Sequence, residues 1–222
     1  MRPILAAALL APVLALGILT LAAAPARPAA AAIADGIGTD ARAELDRIAA
    51  YLNTVRSLKG RFVQTGPDGS VAEGTLWLQR PGRLRFEYDP PAPLLVVADG
   101  TYVILNDRDV GQTTRYPIGA TPLGLLVRET IGFTGRDVEV TGVQNLPGGL
   151  VRVDMLDPTD REQGALRLFL TEAPLTLRGW EVIDPQGLST TVALSDLEPN
   201  VSVAAERFRF VQPTTGPSHT RR

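Results

Sequence analysis

The sequence predicts a mainly β fold: a curled antiparallel sheet, or open half β-barrel, with its concave face covered by α-helices. Three observations carry this reading. Ten to twelve short strand-like stretches are separated by Gly, Pro and Asp turn signals. They do not alternate with helices, which excludes a doubly wound parallel sheet. Two further segments are helical and apolar on one side, so each needs an apolar surface to cover.

The first of these segments spans residues 40–56. Ala41, Leu45, Ile48, Leu52 and Val55 recur at steps of four, three, four and three, which is one helical face. Arg42, Glu44, Asp46, Arg47 and Asn53 lie largely off it, and Thr39 or Asp40 can cap its start. Strands are then expected at Lys59–Thr65, Val71–Gln79, Arg83–Tyr88, Leu94–Ala98, Tyr102–Leu105 and Gln112–Tyr116. In Arg83–Tyr88 the alternation is clean, with Leu84, Phe86 and Tyr88 on one face and Arg83, Arg85 and Glu87 on the other. Asp99-Gly100 reads as a hairpin turn.

Residues 117–134 form the second covering segment. It is rich in Leu123, Leu125, Leu126, Val127, Ile131 and Phe133, with Pro122 expected at the first helical position and Gly124 as a weak point. Strands resume at Val138–Val143, Leu150–Leu156, Ala165–Leu170, Leu177–Ile183 and Leu188–Leu197, with Phe208–Phe210 as a further candidate. A sheet of this length should curl, and a cavity between it and the helices is expected.

The 222 residues fall into three parts. Residues 1–34 carry a charged start, an apolar run from Ile4 to Ala24 and small residues at Ala32-Ile33-Ala34, the pattern of a cleaved secretory signal. Cleavage is expected after Ala34, with Ala26 or Ala32 as alternatives, and an uncleaved membrane anchor is the competing reading. Residues 35–211 form one domain, and 212–222 a polar tail read as disordered. There is no Cys, hence no disulfide, no thiolate metal site and no lipidated cysteine. Taking Arg2 and Arg27 from 22 basic residues against 24 acidic ones leaves a net charge of −4, which argues against a nucleic-acid partner.

Catalytic chemistry finds no foothold. The single His, His219, stands in the polar tail, so neither a Ser/His nucleophile nor a His-based metal site is supported. No phosphate-binding glycine loop precedes a helix. The pairs Asp107/Asp109 and Glu44/Asp46 read as solvated turn and helix charges. The chain is therefore expected to be a non-enzymatic, exported carrier without metal or cofactor.

Residues 62–116 carry a more specific signal. Phe62-Val63-Gln64, Gly74-Thr75-Leu76-Trp77-Leu78-Gln79-Arg80-Pro81-Gly82-Arg83-Leu84-Arg85-Phe86-Glu87-Tyr88, Val97-Ala98-Asp99-Gly100 and Gln112-Thr113 follow in order, and Thr121-Pro122-Leu123-Gly124-Leu125-Leu126 comes after them. Together they resemble the periplasmic outer-membrane lipoprotein carrier family, LolA, over about residues 40–210. The resemblance implies an open barrel with a helical lid. It implies a monomeric chaperone in the periplasm that takes triacylated lipoproteins from an inner-membrane ABC-type releasing complex and delivers them to an outer-membrane acceptor or to that membrane directly. It gives Arg80 the role of a latch on lid-helix carbonyls. It places Leu45, Ile48, Leu52, Leu84, Phe86, Leu123, Leu125 and Leu126 along the acyl-chain cavity, and Leu76 and Leu78, which share a strand face with Arg80 by alternation, are expected to line it too. Plain core packing is the competing reading of those ten residues. The chain departs from the family where Phe86 stands for a frequent Trp and Leu84 for a frequent Phe, giving a more aliphatic wall. The related acceptor family, LolB, needs a lipidated Cys that is absent here. An envelope lipid sensor or scaffold of the same fold is the alternative function.

Overall fold

The computed structural model describes residues 39–133 and 138–212. The expected signal, 1–34, and all of the expected tail except Gln212 lie outside the described residues. Helix α1 spans Thr39–Thr54 and is followed by β1 (Ser57–Thr65), β2 (Val71–Gln79), β3 (Arg83–Tyr88), β4 (Leu94–Asp99), β5 (Tyr102–Asp107) and β6 (Gln112–Pro117). A 3-10 turn at Ile118–Ala120 leads to the one-turn helix α2 (Leu123–Leu126). The second half contains β7 (Glu139–Leu146), β8 (Leu150–Leu156), β9 (Ala165–Glu172), β10 (Leu175–Ile183) and β11 (Ser189–Pro199).

All eleven strands lie in one sheet, ordered β6-β5-β4-β3-β2-β1-β11-β10-β9-β8-β7. Every neighbouring pair is antiparallel. Each half of the chain is a meander, and the last strand returns to pair with the first. The sheet is not closed: β6 and β7 are its edges. The segment 118–138 connects one edge to the other, and it contains α2.

Side-chain alternation sorts the sheet into two faces. Leu76 and Leu78 of β2, Leu84, Phe86 and Tyr88 of β3, and Leu166, Leu168 and Leu170 of β9 are buried in a single core cluster. The same cluster takes Leu45, Ile48, Leu52 and Val55 of α1, together with Leu123, Leu125, Leu126, Val127, Ile131 and Phe133. The covering segments thus fill the inner face of the sheet. At the expected 3.6-residue spacing, α1 docks its apolar stripe and leaves Arg42 and Asp46 exposed.

Aromatic rings concentrate on one part of that face. Phe62 meets Phe86 and Tyr88 edge-on at 4.9 and 5.0 Å between centroids, and Phe86 meets Trp180 at 6.0 Å. The Tyr88 hydroxyl donates to Gln64 Oε1 at 2.7 Å, which gives the buried phenol and the amide oxygen a partner. Gly74 makes room for the cluster: a Cβ there would lie 2.2 Å from the Glu87 carbonyl oxygen and 2.6 Å from the Phe62 ring.

Three expectations are corrected. Phe208–Phe210 is not a strand. Residues Ala205–Phe208 form a 3-10 turn that packs on β3 and β4 from outside and buries Phe208. Arg207 there stacks over Trp77 at 4.3 Å, and its carbonyl oxygen accepts from Arg85. Pro122 is the residue before α2 rather than its first, because the chain makes a 3-10 turn just upstream. The short helix expected to start at Thr121-Pro122 is present as the single turn Leu123–Leu126, too short to stand without tertiary support. Asp107 is buried rather than solvated, with Oδ1 accepting from the backbone N–H groups of Asp109 and Val110 to close the β5–β6 turn.

The Gly74 contact yields a prediction. Gly74→Ala drives a methyl into backbone and ring, at a cost of about 1–3 kcal/mol for overpacking. The thermal midpoint, followed by circular dichroism, should fall by roughly 3–10 °C. An unchanged midpoint would show that the aromatic cluster has slack.

Candidate lid latch and apolar cavity

A helix leaves its last carbonyls without intrahelical partners, and its C-terminus carries partial negative charge. Here both covering helices end beside the same cation. Arg80 follows β2 directly, on the inner-face parity of Leu76 and Leu78, and is buried. Its Nε donates to the Leu126 carbonyl oxygen at 3.2 Å, at the end of α2. Its Nη1 donates to the Leu52 carbonyl oxygen, in the last turn of α1, and to that of Val55 at 3.3 Å. One guanidinium thus serves the C-terminal ends of two helices.

Arg80 makes no ion pair with a carboxylate among the described residues. Burial, with the nearby charge of Arg56 adding to it, lowers its pKa from the ordinary 12.5 to about 10. That shift corresponds to roughly 3 kcal/mol against the buried cation. Hydrogen bonds from a charged donor are worth about 1.5–3 kcal/mol each. Three of them, about 4.5–9 kcal/mol together, exceed that burial cost by about 1.5–6 kcal/mol, so the contact is net favourable.

Further donors hold the chain beyond α2. Gly82 N–H donates to the Val127 carbonyl oxygen at 2.7 Å. Arg56 Nη1 donates to that of Glu129 at 2.9 Å. The Asn53 amide grips Ile131 twice, donating to its carbonyl oxygen at 2.8 Å and accepting from its N–H at 2.9 Å. The carbonyls of Leu126, Val127, Glu129 and Ile131 are therefore all taken by groups from the end of α1 or from the turn at Arg80-Pro81-Gly82. Gly124 lets α2 lie flat: a Cβ would come within 2.5 Å of the Ile118 carbonyl oxygen.

Asn53, Arg56 and Gly82 were not singled out from sequence. Asn53 stands one residue past the apolar Leu52, where it reads as an ordinary solvent-facing helix residue. A side chain with one donor and one acceptor at a helix end was the available signal, but periodicity gives it no partner.

Ten residues were expected along a cavity, and all ten are buried in the one core cluster. Two cavities flank the turn at Arg80-Pro81-Gly82. One, of about 280 Å³, is lined by Leu52, Leu78 and Arg80, with Val55, Leu58 and Leu177 among its other walls. The other, of about 240 Å³, is lined by Leu125 together with Pro81, Gly82, Ile118 and Val127. Leu45, Ile48, Leu76, Leu84, Phe86, Leu123 and Leu126 line neither; they pack against one another across the sheet–helix interface. Each space falls below the usual 300–1,000 Å³ of a ligand pocket. The covering segments occupy the volume that a larger ligand would need.

A family model described as outer membrane lipoprotein carrier protein LolA matches residues 53–211. The outer-membrane lipoprotein carrier protein of Leptothrix cholodnii is 33% identical over 190 residues, covering 79% of this chain and 86% of that one. Its counterpart in Alkalilimnicola ehrlichii is 34% identical over 179 residues, covering 78% and 80%. A solved LolA-superfamily structure from Nitrosomonas europaea aligns with a TM-score of 0.41 at 10% identity, over 75% of this chain and 94% of that one. With the family model spanning all eleven strands and the α2 region, the chain belongs to the LolA family of outer-membrane lipoprotein carriers.

Proposed function

We propose that this protein is a non-enzymatic periplasmic chaperone that shelters the acyl chains of triacylated lipoproteins between the inner face of its sheet and its helical cover. In this reading it takes them from an inner-membrane ABC-type releasing complex and yields them to an outer-membrane acceptor or to the membrane itself. Residues 1–34 serve as the cleaved export signal, and residues 35–211 form the carrier domain. The observation that supports it best is the Arg80 contact: a buried cation with no carboxylate partner among the described residues, bonded to the carbonyl ends of both helices that cover an apolar face.

The energetics suit an exchange. An acyl chain of about 15 methylenes costs about 12 kcal/mol to expose to water, so three cost about 35 kcal/mol. The ten buried side chains of the cover cost roughly 1.5–3 kcal/mol each to expose, or about 15–30 kcal/mol together. Incoming acyl chains therefore replace the cover's own side chains at little net cost. A latch worth a few kcal/mol decides which arrangement prevails. In this reading Leu84 and Phe86 line the wall, and Leu45, Ile48, Leu52, Leu123, Leu125 and Leu126 retreat with the cover.

Two experiments test this. Protein purified from the periplasm of cells expressing the full chain should release radiolabelled lipoprotein from inner-membrane spheroplasts into the supernatant; no release where a known carrier succeeds would refute the function. In Arg80→Leu the release-and-delivery cycle should be impaired. Hydrogen exchange at the Gly82 amide, whose acceptor is Val127, should quicken about tenfold or more in that variant. Normal transfer with unchanged exchange would remove Arg80 from the mechanism.

A further inference from the structure

The cavity of about 280 Å³ beside Arg80 combines features that the latch alone does not require. Leu52, Val55, Leu58, Leu78 and Leu177 contribute apolar walls, and Arg80 contributes a buried cation. The hydrogen bonds of that guanidinium use Nε and Nη1, and among the described residues none accepts from Nη2. Among the charges that act on it is another cation, Arg56, which disfavours its positive charge. The guanidinium is largely buried, yet its Nη2 is not sealed away as a buried unpartnered donor, so an anion entering the pocket can accept from it. The ligand that completes it carries one compact anionic oxygen group on an unbranched apolar tail.

Size narrows the class. An apolar cavity of about 150 Å³ accommodates benzene, with six heavy atoms. Scaled in proportion, about 280 Å³ holds about eleven. A medium-chain fatty acid such as decanoate, with about twelve heavy atoms, fits with little protruding, whereas the triacylated anchor of a lipoprotein does not. We propose that this cavity is a binding site for a single medium-chain fatty acid, its carboxylate paired with Arg80 Nη2 and its tail against the wall formed by α1, β2 and β10. Nε and Nη1 keep their carbonyls, so the bound acid adds a counter-ion to the closed latch and holds the cover shut. That last consequence, inhibition of loading, rests on the carrier reading above; binding itself does not.

The test is calorimetric titration of the full-length-derived periplasmic protein with decanoate and, separately, with decanol. One charge-assisted hydrogen bond is worth about 1.5–3 kcal/mol, so decanoate should bind about tenfold tighter or more. Arg80→Met should abolish that preference. Thr176→Trp, at a half-buried position lining the cavity away from Arg80, should fill the space and remove binding of both. Absence of binding, equal affinity for acid and alcohol, or decanoate affinity unchanged in Thr176→Trp would each overturn the proposal. The acid–alcohol comparison on the unaltered protein decides the matter even where Arg80→Met does not fold. A protein that releases lipoprotein yet ignores decanoate refutes the site alone; one that binds decanoate but releases no lipoprotein refutes the carrier function alone.

Discussion

The guanidinium of Arg80 is the contact on which the arrangement of the cover depends. Helix α1 has 16 residues and an apolar stripe, so burial alone would dock it. Helix α2 has a single turn, and its residues gain little from helix formation itself. What fixes it is the acceptance of its terminal carbonyls by groups outside it, with Arg80 bonding α1 and α2 at once. Because a buried cation carries a desolvation cost comparable to one or two of its hydrogen bonds, the net latch energy is small. A carrier needs that balance. A stronger clamp would keep cargo out, and no clamp would leave a large apolar face open to aggregation.

The open sheet follows from the same requirement. A closed eleven-stranded barrel would have rigid walls all round. Here β6 and β7 do not pair, and residues 118–133, which follow β6 and carry α2, place apolar side chains over the inner face. That segment can shift without breaking a ladder. The convex side is different in kind: Arg167 bridges Asp154 and Glu181 at 3.4 and 2.9 Å, and Arg207 rests on Trp77. Asp154 and Glu181 there are only 17% and 16% exposed, so these pairs are partly desolvated and tie β8, β9 and β10 together on the outer face.

Much of the fold was legible because strands write their burial into alternate residues. Arg83–Tyr88 appears in the structure with the bounds and faces that its alternation predicts. Gly-Pro-Asp clusters located the turns, and the stripe from Leu45 to Val55 located α1. The failures share a physical cause: they lie where the chain is held by partners distant in sequence. Phe208 was given a strand because its neighbours are β-formers, whereas its position depends on the outer face of β3 and β4. Asp107 was read as solvated because turns are usually wet, whereas its carboxylate closes the turn from within. The arginine at position 80 could be singled out only through family resemblance, since an Arg before Pro-Gly ordinarily reads as a surface residue. Asn53 and Arg56 gave no such cue, because their acceptors stand more than seventy residues away. The cavity itself is hard to read from sequence in principle, as a lipid-facing wall and a packed core have the same composition.

The central claim is that the segment carrying α2 moves away from the sheet when acyl chains enter. Spin labels at Thr130, exposed on that segment, and at Val71, exposed on the sheet, make this directly measurable. Double electron–electron resonance should give one narrow distance distribution for the empty protein and a longer or broader one after loading with a triacylated lipoprotein. The same distribution before and after confirmed loading would contradict the account, because cargo would then be held without displacing the cover.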